Sequence, residues 1–225
     1  MEQTQYNLLF CWFVGLSMDD AVWVPSVFSK NRERLIEHDA IVELFNRIVE
    51  QTDQQGLLLG EHFSVAGTLI QAWASHKSFV RKDGQDGGND GGNFKGQNRG
   101  NEIYASTTDA DARLYCKGDN ASRLRFIGHT LSDNRHGLIA NTQVTTADGY
   151  AAREAAKVMI NYARQAATRS GAEITLGADK GYGAQEFIGV WIEMRVLPHV
   201  AQNASGQHSA TFDDIAASKG YQVSV

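Results

Sequence analysis

The sequence predicts an α/β protein in which helices pack on a mixed β-sheet, preceded by a short helical segment. Apolar residues near Asn31–Gln51 recur at helical spacing. Strand-like runs in residues 123–131 and 137–145, separated by turn-type residues, predict an antiparallel hairpin. After Ala151 a helix, a strand, a helix and a strand follow one another, which predicts β-α-β units with parallel strands. The combination gives a mixed sheet.

The first elements are predicted to be helices. Tyr6–Leu16 is apolar on nearly every side, so it is either a buried helix or a packing surface for a missing segment. Cap-type residues precede Ala21–Trp23, which predicts a short helix that ends near Pro25. Ser29 is expected to cap the longer helix near Asn31–Gln51.

The spacing of the apolar residues is no longer helical after residue 57. His62–Val65 predicts a strand, with Gly67 as its end or a bulge, and Gln71–Ala74 is expected to continue helically. Residues 81–100 contain seven glycines in twenty positions and almost no apolar residue, which predicts a mobile loop. This loop is either simply solvated or becomes ordered on a phosphate backbone.

The remaining elements follow from periodicity and turn residues. In chain order, they are predicted strands at Leu114–Cys116, Arg123–Leu131 and Gly137–Thr145, a helix at Ala151–Ser170, a strand around Ile174–Leu176, a helix at Ala184–Met194, a strand at Val196–Ala201 and a possible short strand at Tyr221–Val225. Ser132–His136 is the predicted hairpin turn, and Gly171 is expected to stop the long helix.

Length, charge and cysteine content limit the class of protein that this chain can be. The chain has 225 residues, of which 42% are hydrophobic and 21% charged, so it can form one sizeable domain with a proper core. A net charge of −5 argues against a generally basic coat for nucleic acid but permits a local basic patch. Two cysteines exclude a disulfide framework. Leu8–Leu16 is too short to span a bilayer, so a cytoplasmic location is expected.

Asp179 is the candidate functional carboxylate. It follows the short apolar run Ile174–Leu176 within Ala172–Tyr182, at the predicted carboxyl end of a strand. In α/β folds ligand sites form at such ends, so Asp179 is a candidate metal ligand or acid/base. The alternative is that Asp179 caps the next helix or a turn.

Other catalytic motifs are absent from the sequence. It contains no G-x-S-x-G, no H-E-x-x-H, no Walker motif and no G-x-G-x-x-G after a strand. The histidines show no ligand spacing and are read as ordinary surface or partly buried residues. The remaining candidate is a site on a mixed sheet in which carboxylates hold Mg²⁺. Mg²⁺ requires hard oxygen ligands, which Asp and Glu supply.

Several segments resemble one family. They are F-x-W-F-V-G-L-S-M-D-D (Phe10–Asp20), F-S-V-A-G-T-L-I-Q-A-W-A-S (Phe63–Ser75), N-F-K-G (Asn93–Gly96), A-S-T-T-D-A-D-A-R-L-Y (Ala105–Tyr115), T-L-G-A-D-K-G-Y (Thr175–Tyr182) and P-H-V-A-Q-N (Pro198–Asn203). Together they are similar to DDE transposases of bacterial insertion sequences, in the insertion-sequence-five group. The resemblance covers nearly all of the chain.

This resemblance implies fold and activity. Residues 57–225 are expected to form an RNase H-like domain that is incomplete at its C-terminus, and residues 1–56 the end of an N-terminal helical domain. The family cleaves and joins DNA at inverted repeats with Mg²⁺ or Mn²⁺. DNA, as transposon ends and target, is thus the expected partner, homo-oligomers are possible, and the expected location is the bacterial cytoplasm at the nucleoid.

The family's acidic positions are only partly filled. Its second Asp corresponds to Asp179, but Ala66 occupies the first position, and a methyl group cannot bind Mg²⁺. The third, a Glu, is expected just beyond Val225. Glu61 is expected to point to the opposite face of its strand. No pattern predicts that Asp148, Asp213 or Asp214 comes close.

Two functions follow from these observations, and a pseudogene product without function is a third possibility. The first is an inactivated transposase, either a decayed copy or an Ala66 variant made to trap a complex. The second is a non-catalytic DNA-binding or oligomerising remnant that competes with an intact transposase. Its candidate DNA contacts are Lys82, Lys95, Arg99, Arg123, Arg125 and Lys180.

Overall fold

Two compact units make up the chain, Met1–Gln55 and Gly56–Val225. The computed structural model describes residues 3, 6–58, 60–84, 100–118, 121–167 and 173–201. The predicted strand at Tyr221–Val225 and the predicted stop at Gly171 therefore lie outside the described residues.

The N-terminal unit contains three helices, α1 (Leu8–Phe13), α2 (Pro25–Glu37) and α3 (Ala40–Gln54). The predicted short helix over Ala21–Trp23 is wrong, since those residues are not helical and Pro25 begins a helix rather than ending one. Proline suits the first helical position because its missing N–H would have had no partner there.

The helix predicted near Asn31–Gln51 is two helices. Asp39 adopts the left-handed conformation, with φ of 50°, and separates α2 from α3. Ser29 does not cap a helix, because it lies inside α2 and its hydroxyl donates to the Pro25 carbonyl at 3.2 Å. The apolar residues keep their helical spacing on both sides of Asp39, so the sequence pattern did not predict the break.

Apolar side chains of α1 lie at the surface. Leu9, Trp12 and Phe13 are 66%, 75% and 79% exposed, so a buried helix is excluded for this segment. Within the described residues, no helix is both long enough and apolar enough to cross a membrane.

The second unit is built on a mixed sheet, as predicted. Its strands are β1 (His62–Gln71), β4 (Arg113–Tyr115), β5 (Arg123–Asp133), β6 (Leu138–Thr146), β7 (Ile174–Ala178) and β8 (Val196–Val200), and a separate pair is formed by β2 (Phe79–Arg81) and β3 (Tyr104–Ser106). The main order is β4-β5-β1-β7-β8, with β6 also on β5. β1, β7 and β8 are parallel, whereas β5 is antiparallel to β1, β4 and β6.

β1 runs further than the sequence suggested. It pairs with β5 from Phe63 to Gln71, so Gly67 neither ends the strand nor forms a bulge. The expected helical continuation over Gln71–Ala74 is also wrong, because the Ala72 N–H donates to the Leu124 carbonyl and extends the strand pairing.

The outer edge of β5 is shared by two strands. β4 pairs with Arg123–Arg125, and β6 pairs with Phe126–Asp133. The predicted hairpin between β5 and β6 is confirmed, with its turn at residues 134–137. Most of the segment predicted as a mobile loop, residues 85–99, lies outside the described residues, and Arg81 belongs to β2 rather than to a loop.

Two helices cover one face of the sheet, α4 (Ala151–Ala167) after β6 and α5 (Gln185–Glu193) after β7. Both were predicted at these places. The main core joins apolar side chains of β1, β7, α4 and α5, and its buried members include Val65, Leu176, Met159, Ile160 and Trp191. This core fixes the middle of β1 beside the end of β7, where the candidate site lies.

Replacing Leu176 should be costly. Its side chain is fully buried in β7, so Leu176→Ala should lower the free energy of unfolding by about 2–5 kcal/mol through lost burial and a residual cavity. Val144→Ala is the matched control, because Val144 is 63% exposed on β6 and its loss should cost less than about 1 kcal/mol. Urea denaturation measures both, and equal costs would contradict this core.

Candidate functional site

The candidate site forms where β7 ends and β1 continues. The parallel register of these strands finishes at the pair Val65 and Ala178, while β1 runs on beside β5 to Gln71. Ala66 follows Val65 within β1, and Asp179 is the first residue after β7. The register therefore places Ala66, inside β1, at the level where the chain leaves β7 at Asp179.

A cavity of about 300 Å³ opens at this point. Its lining combines the middle of β1, the turn after β7, the end of β4 and the start of α4. It comprises Val65, Ala66, Gly67, Leu69, Tyr115, Lys117, Ile127, Asp148, Gly149, Ala152, Asp179, Gly181 and Tyr182. A crevice at the carboxyl ends of strands is where α/β sheets usually bind ligands.

Asp179 does not act as a helix cap. It precedes the 3₁₀ turn Lys180–Tyr182, but its side chain accepts no capping hydrogen bond, and the Tyr182 N–H donates instead to its backbone carbonyl at 2.9 Å. The carboxylate is exposed at the cavity. Its oxygens are consequently available to a ligand.

Asp148 is a second carboxylate in the same cavity, one that no sequence pattern placed there. Its Oδ1 accepts the N–H groups of Tyr150 and Ala151 at 2.7 and 2.6 Å. These bonds cap the start of α4, so one oxygen of Asp148 is already committed. Asp213 and Asp214 lie outside the described residues.

The donor set at this cavity does not fit a tightly held Mg²⁺. Mg²⁺ prefers several oxygen ligands in near-octahedral geometry. The cavity offers the carboxylate of Asp179 and one uncommitted oxygen of Asp148, while Ala66 offers a methyl group. Within the described ranges, no group of three or more His, Cys, Asp or Glu side chains is placed to hold a metal.

Tyr182 contributes a protonated hydroxyl beside this carboxylate. Burial, and secondly the negative charge of Asp179, raise the pKa of Tyr182. Its hydroxyl is buried and has no hydrogen-bond partner among the described residues. The phenol therefore stays neutral and is a potential donor.

Gly67 leaves a narrow space between two polar groups. A Cβ at Gly67 would lie 3.5 Å from Nδ1 of His129 and 3.6 Å from the Tyr182 hydroxyl oxygen. Nδ1 of His129 also has no partner in the described structure, whereas Nε2 lies 2.8 Å from the Thr145 hydroxyl. His129 is 1% exposed, so the expectation of an ordinary surface or partly buried histidine is wrong here.

The predicted cationic contacts are dispersed. Lys180 is exposed beside Asp179, and Arg123 and Arg125 lie on β5. The ammonium of Lys82 donates to the carbonyls of Asn101 and Glu102 at 2.9 and 3.0 Å, so it holds two chain segments together. Lys95 and Arg99 lie outside the described residues.

Sequence reasoning missed three residues near the cavity. Arg113, Tyr115 and Lys117 alternate in the run R-L-Y-C-K, and this period of two is the signal that could have placed them on one face. Tyr115 and Lys117 line the cavity. Their closeness to Asp179 depends on strand order, which the run itself does not encode.

Comparison with known protein families supports a transposase origin. The family described as Transposase domain (DUF772) matches residues 1–34. This match covers only the first 34 residues of the chain and suggests a transposase-related function. Comparison with curated proteins gives no match, and comparison with solved structures gives none.

Stability should fall in mild acid because of His129. Burial lowers the pKa of His129, so below about pH 6.5 the unfolded chain binds more protons than the folded chain. The free energy of unfolding should therefore decrease as the pH falls from neutrality through that value. Urea denaturation at a series of pH values measures the slope.

His129→Gln should make that slope shallower. It should not abolish the slope, since burial and the neighbouring His62 also lower the pKa of His199. His136→Gln, in the exposed hairpin turn, is the matched control. Indistinguishable slopes for the native chain and His129→Gln would show that His129 does not drive the pH dependence.

Proposed function

We propose that this chain is a DDE-type transposase fragment whose second unit is an RNase H-like domain with a disabled metal site. The observation that carries the proposal is the pairing of β1 with β7, because Ala66 within β1 and Asp179 just after β7 follow the last registered pair and line one cavity. The mixed sheet with α4 and α5 on one face and the transposase-domain match over residues 1–34 support the same conclusion.

The intact family cleaves and transfers DNA strands with Mg²⁺ or Mn²⁺, a chemistry in which carboxylates hold the ions. Here Ala66 offers no ligand atom at the position that corresponds to the family's first Asp. The carboxylate of Asp179 and one oxygen of Asp148 are too few donors to bind Mg²⁺ or Mn²⁺ tightly. We therefore expect the chain, as given, not to cleave DNA.

A second function is a non-catalytic DNA-binding or oligomerising remnant that regulates an intact transposase. The cationic residues Arg123 and Arg125 on β5, near the cavity but not part of its lining, favour it. Replacing the family's Asp by alanine at position 66 would remove metal binding. It would leave the contacts of Arg123 and Arg125 with DNA unchanged. Salt-dependent DNA binding by the native chain would support this second function.

A plasmid assay tests the loss of cleavage. The native chain should not nick supercoiled DNA in either Mg²⁺ or Mn²⁺, because its cavity lacks a carboxylate at position 66. Agarose gel electrophoresis of the products measures nicking. Metal-dependent nicking that disappears in Asp179→Asn would contradict the proposal.

Restoring the carboxylate should restore metal affinity. Ala66→Asp would add a second uncapped carboxylate beside Asp179 and should tighten Mn²⁺ binding by about tenfold or more, equivalent to about 1.4 kcal/mol. Ala66→Asn is the matched control, since it has nearly the same shape without the charge. Electron paramagnetic resonance of free Mn²⁺ measures both, and equal affinities would argue against a metal site in this cavity.

A further inference from the structure

The register of β4 and β5 gathers cations on one face of the sheet. Arg113 lies directly opposite Arg125, and Tyr115 lies opposite Arg123. Because side chains alternate along a strand, all four belong to the same face. We call Arg113, Arg123 and Arg125 the arginine face. Only two of its members were expected from the sequence.

Placing two arginines directly opposite each other has a cost. Like charges on facing strand positions repel, and each guanidinium is always charged. Within the described residues, no carboxylate forms an ion pair with any member of the arginine face. The fold therefore tolerates an uncompensated cluster that an anion could stabilise.

Two of these guanidinium groups are held in position. Nη1 of Arg113 donates to the carbonyls of Ala110 and Ala112 at 2.6 and 3.4 Å. Nη1 of Arg123 donates to Oε1 of Gln71 at 2.9 Å. These neutral acceptors orient the groups without cancelling their charge, so little side-chain entropy is left to lose when an anion binds.

The arginine face leads to the cavity. Ile127, two residues beyond Arg125 and therefore on the same face, lines the cavity beside Ala66 and Asp179. Tyr115, between Arg113 and Lys117 on the alternating pattern, lines it as well. A chain of phosphates lying along the arginine face would thus arrive at the cavity that Asp179 lines.

We infer that the arginine face binds the phosphodiester backbone of a DNA strand and directs it to the Asp179 cavity. This inference rests on the proposed function, and it adds to it the surface and the orientation of the DNA. Arginine suits this role because its planar fork matches phosphate oxygens. Binding here requires no metal, so it survives the alanine at position 66.

The experiment measures binding of a fluorescently labelled DNA duplex of arbitrary sequence to the full chain across a salt series. Arg113→Gln and Arg125→Gln should each weaken binding at low salt and reduce the salt slope by about one, and the double variant by about two. Arg125→Lys should retain most of the affinity, because the charge is preserved. Arg135→Gln, exposed in the turn at the other end of β5, is the matched control and should change neither quantity.

Thermal unfolding separates a binding role from a structural one. Arg125→Gln removes one of the two opposed charges and, unlike Arg113→Gln, loses no hydrogen bond among the described residues, so its melting temperature should be unchanged or higher even as DNA affinity falls. A marked fall in melting temperature together with the loss of affinity would show that these side chains serve packing, and would overturn the inference.

The remaining outcomes are distinguishable. Native-like affinity and salt slope in both glutamine variants would overturn the inference while leaving DNA binding, and so the proposed function, intact. If the native chain fails to bind the duplex even at low salt, both the inference and the DNA-binding part of the proposed function are wrong.

Discussion

The site depends on how β1 pairs with neighbours of opposite direction. β7 accompanies β1 only as far as Val65, whereas β5 accompanies it to Gln71. Beyond Val65 the parallel partner is missing and the chain after β7 turns away at Asp179. The backbone of β1 remains held by β5 hydrogen bonds, so a cavity can exist there without unravelling the strand. The apolar contacts of Leu176 and Trp191 keep this arrangement rigid.

Charge is arranged around this cavity in two zones. One carboxylate follows the end of β7 and another precedes α4, and guanidinium groups lie on the adjoining β4–β5 face. Metal-assisted cleavage needs the first zone complete, because one missing ligand sharply reduces affinity for a small divalent ion. Phosphate contacts add up more gradually, one charge at a time. Under the proposed function, an alanine at position 66 would therefore remove metal-assisted cleavage while leaving the attraction for DNA.

The sequence predicted the second unit better than the first. Strands β5 to β8 and both later helices follow periodicity and turn residues, which are local signals. The break between α2 and α3 was missed because the left-handed residue there is Asp39, and no glycine marks the position in the sequence. Asp179 was predicted from its position after a strand, but Asp148, Tyr182 and the Gly67 gap depend on tertiary register. Arg113 faces Arg125 only because β4 joins the outer edge of β5, which no local pattern encodes.

Because β4 and β6 share the outer edge of β5, one part of this edge can change in sequence without the other. β4 holds three residues of β5, and β6 holds the remainder. Lengthening, shortening or resequencing the connections around β4 would leave the β5–β6 and β1–β7 alignments where they are. If the arginine face binds a polyanion as inferred, its affinity can therefore be changed separately from the carboxylates of the cavity, by natural drift or by grafting.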